Sequence, residues 1–291
     1  MYIHFIVNPI SGNGKHNLTA HHFRNFFPAD YRIEVGYTKH KSHATTLTEE
    51  AILAKPDCIV ACGGDGTINE VASCLVNSNI KLGIIPVGSG NGLASHLAIP
   101  KSIDRALEVI KKGNVSFIDV GKVNEKYFFS NMGIGIDAMI IKQYERSGKR
   151  TLSAYVRAAL ASSFKFKPRR TILADGKKIW NSDPLMLFVS NSNEMGYNRS
   201  LTPKASLNDG QLDLFMVPEL SFFEKLQLGY CVLANHVERF KKGTHMLVQN
   251  LHLEQPETIF MDIQIDGEFH NFKTNILHIS ILHKGLRVVT K

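Results

Sequence analysis

Up to Lys111 the chain alternates short apolar runs with stretches of helical periodicity. Ile3–Val7, Ile33–Tyr37, Cys58–Ala61 and Leu82–Ile85 read as strands, and Leu18–Phe27, Ala44–Ala54, Ile68–Val76 and Ile103–Lys111 as helices. Short buried strands that alternate with helices need crossover connections, so the pattern predicts a parallel sheet in a three-layer α/β domain. From Phe117 the texture changes. Phe117–Lys122, Lys126–Phe129, Thr171–Ala174, Leu185–Ser190, Gln211–Val217, Ile259–Ile265 and Ile276–Leu282 read as strands joined by polar or Gly-containing turns. Helices are expected there only near 138–166 and 221–239. This half is expected to be an antiparallel β-sandwich. The expected division is 1–120 and 121–291, with the last residues returning to pack on the first domain. No Pro/Ser-rich linker separates the halves, so they are expected to pack tightly around a cleft.

Composition fits that division. The chain has 291 residues, 44% of them hydrophobic and 21% charged, which excludes disorder and suits two domains of ordinary size. The longest apolar runs, around 184–189 and 226–234, are too short to cross a bilayer. The opening MYIHFIVNPISG has no signal-peptide pattern, so a soluble, cytoplasmic protein is expected. Cys58, Cys62, Cys74 and Cys231 lack zinc-site spacing and read as buried thiols. The 13 histidines are scattered, and no transition-metal site is expected.

Charge is uneven. Lys142, Arg146, Lys149, Arg150, Arg157, Lys165, Lys167, Arg169, Arg170, Lys177 and Lys178 face only Glu145 and Asp175, so 142–178 carries +9 of a total of +8, and the rest −1. Such a concentration addresses an anionic partner: lipid, phosphate or nucleic acid. Nucleic acid has no recognisable module behind it and is set aside. Within the stretch, Leu152, Tyr155, Val156, Ala159, Leu160 and Phe164 recur at helical spacing, with Arg157 and Lys165 near the polar side. That pattern suits either an anionic membrane face or a core-facing helix with a solvated basic back.

The strongest chemical signal is Gly63-Gly64-Asp65-Gly66-Thr67, at a strand end and directly before a helix. Successive glycines let backbone N–H groups approach phosphate oxygens, and the helix N-terminus adds partial positive charge. Asp65 places a carboxylate where a metal on those phosphates could be met, and Thr67 can cap the helix or donate to a phosphate. A second loop, Pro86-Val87-Gly88-Ser89-Gly90-Asn91-Gly92, and Asn8-Pro9-Ile10-Ser11-Gly12 after the first strand have the same placement. Ligands of open α/β sheets bind beyond the carboxyl ends of the strands, so the three loops should line one crevice. Neither the P-loop nor the dinucleotide fingerprint fits, which argues against hydride transfer.

Two acidic clusters follow. Asn208-Asp209-Gly210-Gln211-Leu212-Asp213 and Asp266-Gly267-Glu268 read locally as turns beside strands. Opposite a phosphate-binding site they gain a second reading, because phosphoryl transfer needs magnesium and a carboxylate to deprotonate the attacking hydroxyl.

In the order NPISG, GGDGTINE, LGIIPVGSGN, NDGQLD and DGE, these motifs resemble the diacylglycerol kinase catalytic family, in its bacterial lipid-kinase and sphingosine-kinase-like branch. The resemblance covers nearly the whole chain. It implies a phosphofructokinase-like α/β nucleotide-binding domain followed by a β-sandwich, with the active site in the cleft between them. It implies ATP contacts at Asn8, Pro9, Ile10, Ser11, Gly12, Thr38, Gly63, Gly64, Asp65, Gly66, Thr67, Ile68, Asn69, Glu70, Gly88, Ser89 and Asn91. A magnesium site with a structural role is implied at Asp209, with the backbone carbonyls of Ser206 and Gln211 beside it. Glu268 is implied as base, with Asp266 sharing the role, and Asp65 stands with these catalytic carboxylates. Diacylglycerol-type members usually carry an acidic residue where this chain has Gly92, and the loop looks closer to sphingosine and ceramide kinases. Segment 194–198 also lacks the glycine run often found there.

The resemblance therefore implies transfer of the γ-phosphoryl group of ATP to a hydroxyl of a membrane lipid such as diacylglycerol, a sphingoid base or ceramide. The 142–178 stretch would hold the protein peripherally at an anionic membrane. Two alternatives stand beside it: a kinase of a soluble substrate such as NAD, and a nucleotide-binding regulatory protein without turnover.

Overall fold

The computed structural model describes residues 1–149 and 151–291. The chain divides into two compact units, Met1–Val120 with His283–Lys291, and Gly121–Leu282.

In the first unit β1 (Tyr2–Val7), β2 (Arg32–Tyr37), β3 (Cys58–Gly63) and β4 (Lys81–Pro86) form a parallel sheet in the order β2-β1-β3-β4. Helices α1 (Ala20–Phe26), α2 (His43–Leu53), α3 (Asp65–Leu75), α4 (Gly92–His96) and α5 (Ile103–Lys112) follow the strands. Neighbouring residues of a strand point to opposite faces, and β1 shows the consequence. Phe5 stacks on Phe23 of α1 with ring centroids 3.9 Å apart. Ile6 lies on the other side, beside Leu47 of α2 over Gly36. Helices thus cover both faces, and the all-buried β3 (CIVACG) is the central strand such layering requires.

β5 (Val115–Val123) leaves the first unit. In the second, β7 (Asn131–Gly135), β10 (Met186–Ser190), β11 (Leu212–Val217), β12 (Thr244–Val248), β14 (Met261–Ile265) and β15 (Glu268–Phe272) make an antiparallel sheet in the order β12-β11-β10-β7-β14-β15. β8 (Thr171–Ala174), β9 (Ile179–Ser182), β13 (Asn250–Glu254) and the first part of β16 (Ile276–Val289) pair antiparallel in the order β16-β13-β8-β9, while β6 (Lys126–Phe128) pairs with β5. Leu187, Val189 and Leu214 share one apolar core with Leu251, Leu253, Leu277 and Ile279, which is the interior of a β-sandwich. The alternate residues Met186, Phe188 and Phe215 pack instead with α6 (Ile136–Arg146), α7 (Leu152–Lys165) and α8 (Phe222–Leu233). Both faces of β10 are therefore buried, and its sequence MLFVS shows no alternation.

The last residues of β16 belong to the first unit, where Val288 pairs parallel with Leu82 of β4. Buried Asp119 fixes this return: it accepts from the Lys284 amide (2.7 Å) and pairs with His283 Nδ1 (2.8 Å).

One expectation needs correction, and one open reading is resolved. The helix expected from Ile68 begins at Asp65, because Asp65-Gly66-Thr67, which reads as loop, is the first turn, with Gly64 as its N-cap. The α7 stripe, which suits either a membrane face or a core face, is divided: Tyr155 and Ala159 pack against the core, while Leu160 and Phe164 are exposed. The buried residues of α7 are Ala154, Ala158 and Ser162. Ala154 and Ala158 share the core of Tyr144 on α6, and small side chains permit that close approach.

Candidate functional site

Three loops of the first unit meet at the carboxyl ends of β1, β3 and β4. Each contact depends on residue type. Gly12 has φ +60°, and a Cβ there would lie 2.5 Å from the Val87 carbonyl oxygen. A Cβ on Gly88 would lie 2.4 Å from Gly64 Cα, so the two glycine loops touch backbone to backbone. Asn8 Nδ2 donates to Thr67 Oγ1 (3.2 Å), which ties the first loop to α3, while Asn8 Oδ1 accepts from the Ile10 amide (3.2 Å).

Asp65 closes the arrangement. Its Oδ2 accepts from the Asn91 amide and its Oδ1 from the Gly92 amide, both at 2.7 Å. The carboxylate thus sits at the start of α4 and fixes the second loop against the first turn of α3. Asn91 has φ +57° and sends its side-chain amide to the Gly88 carbonyl (2.6 Å). The N-cap of α3 is Gly64, which has no side chain to cap the helix, so the amides of its first turn stay outside the helical ladder, where the helix field favours an anion.

The remaining residues of the expected nucleotide set divide by position. Ser11, Gly64, Gly66, Asn69 and Thr38 are half-buried, and Pro9, Ile10, Gly12 and Ser89 are exposed. The Thr38 amide extends the β1–β2 ladder to the Val7 carbonyl (2.9 Å). Gly63 is the buried end of β3, and Ile68 sends its side chain into the core and its amide to Gly64. Glu70 accepts from the amides of Ser42 and Ala44 (3.0 Å each), so it caps α2.

The second unit holds the carboxylates. Asp266 and Gly267 have φ of +45° and +78° and join β14 to β15 as a two-residue hairpin turn, with Ile265 opposite Glu268. The Asp266 side chain also reaches back from this turn. Its oxygens accept from the amides of Phe129 (2.9 Å), Ser130 (2.8 Å) and Asn131 (3.0 Å). Glu268, the first residue of β15, is half-exposed. Beneath the turn, buried Gln264 donates to Asn131 Oδ1 (2.8 Å) and accepts from the Gly267 amide (2.9 Å).

Asp209 accepts from the Gln211 amide (3.0 Å) in the turn before β11, and Ser206 Oγ donates to Asn208 Oδ1 (2.9 Å). The charge of Asp209 also reaches Asp213, whose carboxyl is pushed up to about 6, first by burial and then by that charge. Among the described residues no group of three His, Cys, Asp or Glu side chains forms a ready-made metal cluster.

Sequence reasoning assigned no role to Asp137, Gln264 and Asn131. Asp137, in the first turn of α6, is fully buried, and burial raises its carboxyl to about 7 against the lowering effect of Gln264. An acidic residue after the glycines of NMGIG was the available signal. Arg150, one of the eleven basic residues of 142–178, lies outside the described residues.

Residues 2–123 match the diacylglycerol kinase catalytic domain, and residues 130–275 match the YegS C-terminal NAD kinase beta sandwich-like domain. The chain belongs to the diacylglycerol kinase catalytic-domain family. Family members include the diacylglycerol kinase of Bacillus subtilis, 29% identical over 278 residues that span 91% of this chain and 88% of that one. A protein of Pectobacterium atrosepticum named "Probable lipid kinase YegS-like" is 34% identical over 191 residues, 63% of this chain and 64% of its own length. The fold matches a solved structure of a candidate diacylglycerol kinase from Bacillus anthracis str. Sterne, with a TM-score of 0.81 at 23% identity over 100% of this chain and 95% of that one. The family is one of kinases, with an α/β catalytic domain followed by a β-sandwich-like domain. No helix among the described residues is long and apolar enough to cross a membrane.

Proposed function

We propose that this chain transfers the γ-phosphoryl group of ATP to the hydroxyl of a membrane lipid. The observation that carries the reading is the meeting of three backbone loops at the uncapped start of α3, in a chain of a lipid-kinase family. Gly64, Gly66 and Thr67 present amides to the phosphates of ATP, with Asn8, Ser11, Gly12, Ser89 and Asn91 around them. Asp65 holds the second loop in place through the Asn91 and Gly92 amides and so positions the cradle. Ile68 and Glu70 support it from behind, through the core and through α2. Glu268 takes the proton of the attacking hydroxyl, which then bonds to the γ-phosphorus as ADP leaves. Asp266 serves by fixing the turn on which Glu268 stands.

The residues around Asp209 fit a magnesium ion. Asp209, Asp213 and the carbonyls of Ser206 and Gln211 are all oxygen donors, and Asp213, raised first by burial, also feels the charge of Asp209, which a divalent cation would offset. There the ion would supply positive charge that steadies the turn before β11.

The test is transfer of labelled γ-phosphate from ATP to vesicles of a total lipid extract. Label in the organic phase supports the reading and identifies the acceptor. Label confined to a water-soluble product would replace it with a kinase of the NAD-kinase type, and ATP binding without transfer would replace it with a regulatory role. In the same assay Asp65→Asn is expected to raise KM for ATP between about tenfold and a hundredfold. It replaces two charge-assisted acceptors by one neutral acceptor and an amide that faces a donor.

The basic stretch 142–178 holds the protein at an anionic surface, where such a lipid lies. Charge reversal at Arg169, Arg170, Lys177 and Lys178 is expected to lower binding to anionic vesicles by at least tenfold at low salt. Unchanged binding would refute this assignment.

A further inference from the structure

We infer that α7 and α8 form one docking face that inserts aromatic rings into the headgroup boundary of an anionic bilayer. The inference rests on the lipid-acceptor reading and deepens it by naming the apolar element that enters the membrane.

Helix α8, FFEKLQLGYCVL, buries only Cys231 among its 12 residues. Phe222, Phe223, Leu226, Tyr230 and Leu233 are all exposed, Phe223 by 79% and Tyr230 by 71%. The helix is firmly set, with a capping box between Ser221 and Glu224, so these side chains stand on a fixed scaffold. Helix α7 extends the same face. Phe164, 71% exposed, lies 5.5 Å from the Phe222 ring, and Lys225 Nζ donates to the Ser163 carbonyl (2.8 Å) to join the two helices. Isolated exposed apolar residues are ordinary, but contiguous aromatics on two joined helices mark a surface that meets something apolar.

Charge decides what that is. Directly after Phe164 come Lys165, Lys167, Arg169 and Arg170, all exposed. The whole segment 142–178 carries +9. A second copy of this chain would bring the same cations against this surface, and like charges would oppose each other. A bilayer with anionic headgroups offers an apolar boundary for the rings and negative charge for the basic rim at once. Phe and Tyr suit that boundary, since their rings are apolar and the Tyr hydroxyl can stay with water.

The test is co-sedimentation with vesicles of equal parts phosphatidylglycerol and phosphatidylcholine, using Phe164→Ala, Phe223→Ala, Tyr230→Ala and the triple variant. Each single change should weaken partition about five- to tenfold and the triple at least a hundredfold, from the apolar area each ring withdraws from water. Thermal unfolding should hardly move, because these side chains are exposed. Phosphate transfer to lipid extract in mixed micelles should stay near the wild-type rate. A triple variant that sediments like wild type overturns the inference. So does a wild-type dimer, formed without lipid, that the triple variant dissolves. Wild-type protein that binds vesicles through these rings yet transfers nothing in micelles would sink the lipid-kinase reading and leave the docking face standing.

Discussion

Glu268→Gln is expected to lower phosphate transfer by roughly 10²–10⁴-fold, the usual contribution of a positioned general base, with little change in ATP affinity. Stability should change by less than about 0.5 kcal/mol, because Glu268 is half-exposed at the start of an edge strand. Asp266 gives the opposite signature. Asp266→Ala removes the acceptor for three backbone amides in a buried site and leaves an alanine at φ +45°, where its Cβ is disfavoured. A loss of about 3 kcal/mol in unfolding free energy is expected. Urea denaturation and steady-state transfer on the two variants separate the roles. A stable, fully folded Asp266→Ala protein without activity would assign Asp266 to the chemistry.

Asp137→Asn is expected to stabilise the protein, increasingly so as pH rises. Burial lifts the Asp137 carboxyl from 3.8 to about 7, and its Oδ2 has no hydrogen-bond partner among the described residues. The folded state therefore holds this proton more tightly than the unfolded chain does. Its contribution is fully present below the unfolded value of 3.8 and is lost as pH rises toward the folded value near 7. Above that, a charge must be kept in the core beside Tyr155, whose hydroxyl is driven upward by burial and by this same carboxylate. Three decades of shift set an upper limit of about 4 kcal/mol on the gain of the Asn variant at pH 8, with near equality at pH 4. Urea midpoints of both proteins across that range provide the check. A difference that does not vary with pH would mean that Asp137 is ionised and paired.

How much of this was legible in sequence depended on whether a segment's role left a local trace. Strands β1, β3, β4 and β11 announce themselves as apolar runs, because they are buried between layers. β7 is hidden: NMGIG reads as a loop, yet its glycines allow Asp137 to pack against the strand, where a Cβ on Gly133 would meet the carboxylate. β12, β13 and β15 carry His, Asn and Glu among their residues; the pairing of distant segments makes strands of β12 and β13, and the tight hairpin to β14 makes one of β15. The glycine loops were visible because close backbone approach calls for glycine, as at Gly12 and Gly88. That Asp65 latches one loop to the other was not visible, since it depends on a contact between residues 26 and 27 positions apart. The Asp-Gly-Glu motif carries two readings at once. It is an ordinary hairpin turn by its dihedral angles, and its Asp is also a long-range clamp.

The return of His283–Lys291 to the first unit bears on how the protein is made. The parallel sheet waits for a strand synthesised after the whole sandwich, so the first unit cannot complete its sheet while the ribosome is still on the second unit. The sandwich, an uninterrupted segment, can fold first. A gene cut after Val120 would then yield a sheet with the β4 edge uncovered and Asp119 buried without the His283 and Lys284 partners it has here. An insertion that joins the first 120 residues to the last nine through a short linker is the division that respects the fold.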